Sequence, residues 1–240
     1  MEGKNKDILL KGAELLGIHM DMFHVEQFDR YYNLLIEWNN KMNLTAITEE
    51  HDVVIKHFLD SLSVFKSGKI KKDEKIIDIG AGAGFPSIPV KIVFQNFKLT
   101  IIDSLKKRTI FLNELKSYLK LKDVDILHGR AEDLGRDSLL RENYDIALAR
   151  AVASLNVICE YCLPFVKKNG YFIALKGPNV EEEIYASYNA LKILNSEIED
   201  IIDINLPYTD ILHKLIVIKK YDLVDIKYPR KPKAIETKPL

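Results

Sequence analysis

The chain has 240 residues, a 47% hydrophobic share, and 35 Lys and Arg balanced by 35 Asp and Glu. That is enough for one large domain, or a core with a modest extension, around a full hydrophobic interior. Zero net charge excludes a global field as the means of holding a polyanion, so any such partner must meet a local basic surface.

The N-terminal run MEGKNKDILLKGAELLG mixes charge throughout and lacks the continuous apolar stretch of a secretory signal. No apolar run approaches the length needed to cross a bilayer. A soluble cytoplasmic protein with no membrane partner is expected. Helical spacing begins around Ile8–Leu16. It continues from Glu26 to Leu44, where Phe28, Tyr31, Tyr32, Leu35 and Trp38 recur every three or four positions. A third helix, Glu49–Phe65, is expected behind Thr48 as N-cap.

Alternation follows. Strands are expected at Lys75–Ile79, Lys98–Asp103, Val124–His128, Tyr144–Ala149, Gly170–Lys176, Ile198–Leu206 and His213–Lys219. Helical patterns at Ser87–Phe94, Leu105–Leu119, Glu132–Leu134 and Leu155–Val166 separate the first five, and Val180–Leu194 precedes the sixth. The last two strands are joined by a short turn with Pro207 and Asp210 and should pair as an antiparallel hairpin. The tail after Tyr221 is rich in Lys, Arg and Pro and reads as extended. The expected organisation is a helical extension over residues 1–66, an α/β core over 67–221 and a basic tail over 222–240.

Cys159 and Cys162 stand in CEYC, a spacing that invites a zinc or redox reading. A zinc site needs two further ligands, and the sequence has no second Cys pair or compact His pair. The run LNVICEYCLPFV also has helical apolar spacing. Two reduced core cysteines, and no metal, are expected.

The most informative stretch is KIIDIGAGAGF, Lys75–Phe85. A buried strand leads into Gly80, Gly82 and Gly84, where residues without a Cβ let the chain turn tightly and approach a ligand. Such a turn between strand and helix is where open α/β sheets bind nucleotides. The dinucleotide fingerprint needs its third glycine at position 85, and Phe85 stands there. This argues against NAD or FAD and for S-adenosylmethionine. A dinucleotide-dependent oxidoreductase stays open as the less favoured reading. Asp78, near the end of the first strand, and the glycine loop would lie beneath the methionine portion. Asp103, with Ser104 adjoining, ends the second strand. Its carboxylate suits ribose hydroxyls, or it simply caps the next helix. Ala131 and Glu132 would border the adenine, or Glu132 is a helix-start residue. Arg150 ends the fourth strand, where a cation suits a cofactor carboxylate or a substrate phosphate.

The fourth strand lacks the Asp/Asn-Pro-Pro-aromatic motif of enzymes that methylate exocyclic amines: Ala149-Arg150-Ala151-Val152 stands there. Pyrimidine C5 chemistry needs a nucleophilic cysteine, and both cysteines fall in a core helix. The remaining simple target is a nitrogen with an in-plane lone pair, such as guanine N7. It needs alignment but no general base, so no catalytic residue is expected.

An ordered set of motifs spans nearly the whole chain: Trp38-Asn39, Met42-Asn43-Leu44-Thr45-Ala46-Ile47, His57-Phe58-Leu59-Asp60-Ser61, Asp78–Pro86, Arg130-Ala131-Glu132, Ala149–Val152, Leu175-Lys176-Gly177 and Tyr228-Pro229-Arg230-Lys231. With these the chain resembles the bacterial small-subunit rRNA (guanine-N7) methyltransferases, the RsmG or glucose-inhibited division protein B family. The resemblance implies the class I S-adenosylmethionine-dependent, Rossmann-like fold: a seven-stranded, mostly parallel sheet with a C-terminal antiparallel hairpin. It implies methylation of guanine N7 in the decoding-region loop of 16S rRNA, with rRNA or the small ribosomal subunit as partner; a monomer is expected. Gly80, Phe85, Ala131, Glu132 and Arg150 match the family's cofactor positions. Ser87 departs from a usual glycine, and Lys233-Ala234-Ile235 replaces Gly-Thr-Pro.

Charge supports RNA locally: Lys219–Leu240 holds seven Lys and Arg against three acids, and Ser104–Arg130 has the same balance. Arg230 and Lys231 are RNA-binding candidates, as are His57 and Lys176. His57 and Asp60, three apart on one helix face, are expected to pair as a structural ion pair. A non-catalytic RNA-binding or assembly factor on this fold is the other reading.

Overall fold

The computed structural model describes residues 1–150 and 153–240; Ala151 and Val152 of the fourth-strand motif lie outside the described residues. Helices come first: α1 (Gly3–Leu15), α2 (Met22–Met42) and α3 (Glu50–Val53), which passes through a π-helical turn, Val54–Leu59, into α4 (Asp60–Leu62) and a 3-10 turn, Ser63–Ser67. Then follow β1 (Lys75–Ile79), α5 (Ser87–Val93), β2 (Lys98–Asp103), α6 (Lys106–Tyr118), β3 (Val124–His128), α7 (Ala131–Leu134) and β4 (Tyr144–Arg150). The chain closes with α8 (Leu155–Cys162), β5 (Val166–Lys176), α9 (Glu181–Ile193), β6 (Ser196–Asn205), β7 (Leu212–Lys220) and α10 (Pro232–Thr237).

The strands form one sheet in the order β3-β2-β1-β4-β5-β7-β6. All pairings are parallel except β5 with β7 and β6 with β7, which are antiparallel as the short turn requires. Alternate strand residues face opposite layers. Thus Ile76, Ile101 and Leu148 join the N-terminal helices, α5 and α6 in one buried cluster. Ile77, Ile102 and Ala147 join α8, the end of α9 and the tail residues Val224 and Tyr228 in the other. The chain order reverses between β1 and β4, and the crevice at the carboxyl ends of those two strands is the ligand position of open α/β sheets.

The largest departures from expectation lie at element ends. Helix α2 starts at Met22 because Asp21 accepts the His24 amide at 3.1 Å while the His24 ring accepts the Asp21 amide. It ends where Asn43 turns left-handed at φ 49°. Thr48 is not a cap: Glu49 holds that position without a side-chain bond, and the segment behind it is four short helical pieces rather than one helix. Pro164 ends α8 in a 3-10 turn, Leu163–Phe165, and β5 begins at Val166, four residues early, with a register shift against β4.

The tail is not a free extended arm. Arg141 donates to the carbonyls of Tyr228 and Val224 at 2.7 and 2.6 Å, and Arg136 donates to that of Pro229 at 2.5 Å. The Arg230 guanidinium grips the fully buried carboxylate of Glu160 at 2.6, 2.9 and 3.1 Å.

Candidate functional site

The glycine loop leaves β1 with three positive φ angles: 72° at Gly80, 61° at Gly82 and 100° at Gly84. At Gly84 both backbone angle and space demand glycine, since a Cβ would lie 2.8 Å from the Tyr31 hydroxyl and 2.9 Å from Ile88. Tyr31 of α2 also donates to the Ala83 carbonyl at 2.5 Å, so the N-terminal helices hold the loop in shape. A Cβ at Gly82 would meet nothing within 4 Å, which leaves that side of the loop open to a ligand.

Asp103 closes the loop from the neighbouring strand. One carboxylate oxygen accepts the Gly82 amide at 3.0 Å and the other the Leu105 amide at 2.9 Å. The side chain thus braces the loop and the turn into α6, whose first turn receives no side-chain cap. A carboxylate has about four lone-pair positions, so capacity for ribose hydroxyls remains. Asp78 lies fully buried beneath the loop. It accepts the Ser87 amide at 3.1 Å, while its Oδ1 and the Ser87 hydroxyl oxygen lack a partner among the described residues. Burial pushes the Asp78 carboxyl up to about 7.

Beside the loop is a cavity of about 170 Å³ lined by Gly80, Ser104, Gly129, Ala131, Glu132 and Tyr161. Four of these were expected from sequence; Gly129 and Tyr161 were not singled out. Tyr161 is on α8, far along the chain, and only the fold shows that it faces this wall. Backbone at Gly80 and Gly129, a ring at Tyr161 and a carboxylate at Glu132 fit a nucleoside. The open Gly82 and the orphaned Asp78 oxygen fit the polar end of S-adenosylmethionine.

Phe85 links this region to a second one. Its ring stacks on His57 at 4.5 Å and on Tyr31 at 5.4 Å, and the Arg150 guanidinium lies 4.8 Å above it. Arg150 donates to Asp60 at 2.9 Å and approaches His57 Nδ1 at 3.2 Å. The expected His57–Asp60 pair is absent from the ion pairs among the described residues; instead Asp60 takes Arg150 on one oxygen and His213 on the other, at 2.6 Å. The reason is geometric. The chain enters a π-helical turn between them, and β4 and β7 deliver stronger partners to the carboxylate. Burial would raise the Asp60 carboxyl, but hydrogen bonds from His213 and Arg150 outweigh it and hold it below the usual range. Burial, with the charge of Arg150, lowers His57 to about 4, so its ring is neutral near pH 7.

His57, Asp60 and Arg150 line a cavity of about 270 Å³ together with Lys56, Lys176, Gly177 and His213. Lys176 donates to Glu183 at 2.6 Å and to the Ala153 carbonyl at 2.5 Å. Of the two expected tail contacts, Lys231 is exposed, whereas Arg230 is committed to Glu160. His213 and Glu183 were missed; no local motif marks either. The cysteines are buried and unpaired, and burial raises both thiols; no group of residues suited to a metal occurs among the described residues.

The fold is shared with solved structures. A SAM-dependent methyltransferase from Aquifex aeolicus superposes with a TM-score of 0.52 at 17% identity, covering 70% of this chain and 92% of that one. TYW2 of M. jannaschii, solved in complex with AdoMet, gives 0.52 at 17%, covering 69% and 77%. The fold is that of the class I S-adenosylmethionine-dependent methyltransferases. The family profile described as "GidB: rRNA small subunit methyltransferase G" matches residues 24–207. Ribosomal RNA small subunit methyltransferase G of Thermoanaerobacter pseudethanolicus is 59% identical over 240 residues, the whole of both chains. That of Alkaliphilus metalliredigens is 52% identical over 237 residues, 99% of each. The chain belongs to the rRNA small subunit methyltransferase G family.

Proposed function

We propose that this protein transfers the methyl group of S-adenosylmethionine to N7 of a guanine in the decoding-region loop of 16S rRNA, acting as a cytoplasmic monomer. One observation carries the reading most directly. A glycine loop open at Gly82 and braced by Asp103 lines the smaller cavity through Gly80 and touches Arg150 of the larger one through Phe85, in a chain with full-length relatives of the small-subunit rRNA methyltransferase family.

The cofactor, when bound, supplies an electrophilic sulfonium methyl. Gly80, Ser104, Ala131 and Glu132 frame its adenosine, with the Asp103 carboxylate on the ribose. Gly82 and Gly84 let the backbone approach the methionine portion, with Asp78 beneath. Phe85 and Arg150 form the wall between donor and acceptor. Guanine N7 carries its lone pair in the ring plane, so the protein need only align the atom and exclude water, and no side chain has to take a proton. The base must first leave its stack. Exposed Lys106, Lys107, Lys227, Lys231 and Lys233 offer phosphate contacts that add salt-dependent affinity.

Labelled methyl transfer onto purified small subunits and onto deproteinised 16S rRNA, followed by mapping, tests the proposal. N7-methylguanine at one position in the decoding-region loop is expected. Label on another base, or binding without transfer to either substrate, would overturn it.

A further inference from the structure

The cavity between β4, β5, β7 and the π-helical turn has a charge pattern that selects its occupant. Each permanent cation on its wall is matched by a carboxylate: Arg150 by Asp60 at 2.9 Å, Lys56 by Asp52 at 2.8 Å and Lys176 by Glu183 at 2.6 Å. Paired cations leave little excess positive charge, which disfavours a phosphate. They favour a neutral ring that presents both donors and acceptors.

His213 is the polar wall residue with a ring nitrogen still free. It stands at the start of β7, half-buried, and lines the cavity. Its Nδ1 meets Asp60 Oδ1 at 2.6 Å, and among the described residues its Nε2 has no partner. An ionised carboxylate only accepts, so Nδ1 carries the hydrogen, and Nε2 of the neutral ring is an acceptor. The group it meets must therefore be a donor. With N7 turned to the methyl donor, guanine presents its N1–H and amino group on the opposite edge.

We propose that this cavity receives the target guanine, and that His213, oriented by Asp60, accepts the guanine N1–H through Nε2. The inference rests on the guanine-N7 reading above and deepens it. As N7 gains the methyl group the purine becomes cationic and its N1–H more acidic. The bond to Nε2 therefore strengthens from bound substrate to transition state, the condition for an interaction to raise the rate. No proton need move. Asp60 is a positioning residue: its two oxygens hold Arg150 and His213 at once, so the N-terminal helical segment sets the geometry of both.

The test is single-turnover transfer at saturating cofactor onto small subunits carrying guanine or N1-methylguanine at the target position. Wild type, His213→Ala and His213→Gln are compared. One neutral hydrogen bond corresponds to roughly tenfold. The wild type should be slowed about that much by N1-methylguanine, and His213→Ala slowed about equally on guanine while nearly indifferent to the N1 methyl. His213→Gln keeps an acceptor oxygen and should recover part of the rate. Affinity for S-adenosylhomocysteine should be unchanged in both variants. If His213→Ala loses that affinity through misfolding, His213→Gln decides: partial rate with retained discrimination supports the contact, and full rate without discrimination contradicts it. A His213→Ala enzyme with wild-type rate, or with undiminished discrimination, overturns the inference. A wild type that methylates a different atom overturns the function reading itself, and this inference with it.

Discussion

The guanidinium of Arg150 lies 4.8 Å over the ring of Phe85. This contact joins the end of β4, which lines the larger cavity, to the end of the glycine loop, whose Gly80 lines the smaller one. A cation on an aromatic face contributes about 0.5–2 kcal/mol according to how dry it is. Here both groups are largely covered by the N-terminal helices, and the stack continues through His57 and Tyr31.

Phe85→Ala should therefore lower stability by about 3–5 kcal/mol, the range for truncating a buried aromatic. Phe85→Leu, which keeps apolar volume, should cost less than half as much. Urea unfolding followed by circular dichroism reads both. Equal losses in the two variants would argue against the stacked arrangement.

Asp103→Ala should weaken S-adenosylhomocysteine binding by at least roughly tenfold in calorimetry, because loop brace and ribose acceptor are removed together. RNA affinity in a filter-binding assay should hardly change. Comparable losses in both assays would contradict the ribose assignment.

Arg230→Ala separates the two readings of the tail. It strands the buried Glu160 carboxylate, and breaking a buried pair from one side costs about 3–5 kcal/mol. A marked drop in melting temperature, with RNA affinity at low temperature preserved, is expected. Lys231→Ala should show the reverse, a weaker RNA complex and an unchanged melting temperature. Should Arg230→Ala weaken RNA binding without affecting stability, the sequence-level reading of that arginine would be restored.

The pH dependence of stability carries two opposed contributions. The folded His57 titrates at about 4, below its ordinary value of 6.5, so between those values the unfolded chain binds more protons. Its contribution is present above pH 6.5 and is lost as pH falls toward 4. Asp78 runs the other way: folded it titrates at about 7, above its ordinary 3.8, so its contribution is full below 3.8 and is lost as pH rises through 7. The two windows overlap and the contributions oppose each other, so in thermal melts of the ligand-free protein across pH 4–8 His57→Gln should leave a melting temperature that falls as pH rises from 4 to 7, and Asp78→Asn one that rises from pH 4 to 6.5. A profile unchanged by either substitution would mean that these groups are not buried as described.

The sheet and much of the lining of the smaller cavity were readable because their signals are local. Strand β1, the glycines and Phe85 are contiguous, and β2 ends in Asp103 where a ribose partner is due. Ser104, Ala131 and Glu132 follow strand ends, and strand ends point to the crevice. The second cavity was only half readable. His57 and Asp60 looked like partners at helical spacing, but the π-helical turn and the arrival of Arg150 and His213 re-paired them. His213 begins an antiparallel strand 153 residues from Asp60, and spacing along the chain cannot reveal such a contact. The tail misled for a related reason. Its composition is basic and proline-rich, but Tyr228 and Arg230 have buried partners more than 60 residues away. Asp21 and Asn43, by contrast, were legible end signals for α2 that the apolar periodicity alone did not use.

The most direct measurement is a crystal structure with S-adenosylhomocysteine. The account predicts adenine between Ala131, Glu132 and Tyr161, ribose hydroxyls on Asp103, and sulfur directed toward the wall formed by Phe85 and Arg150. Density for the cofactor elsewhere, or a ribose out of reach of Asp103, would contradict it.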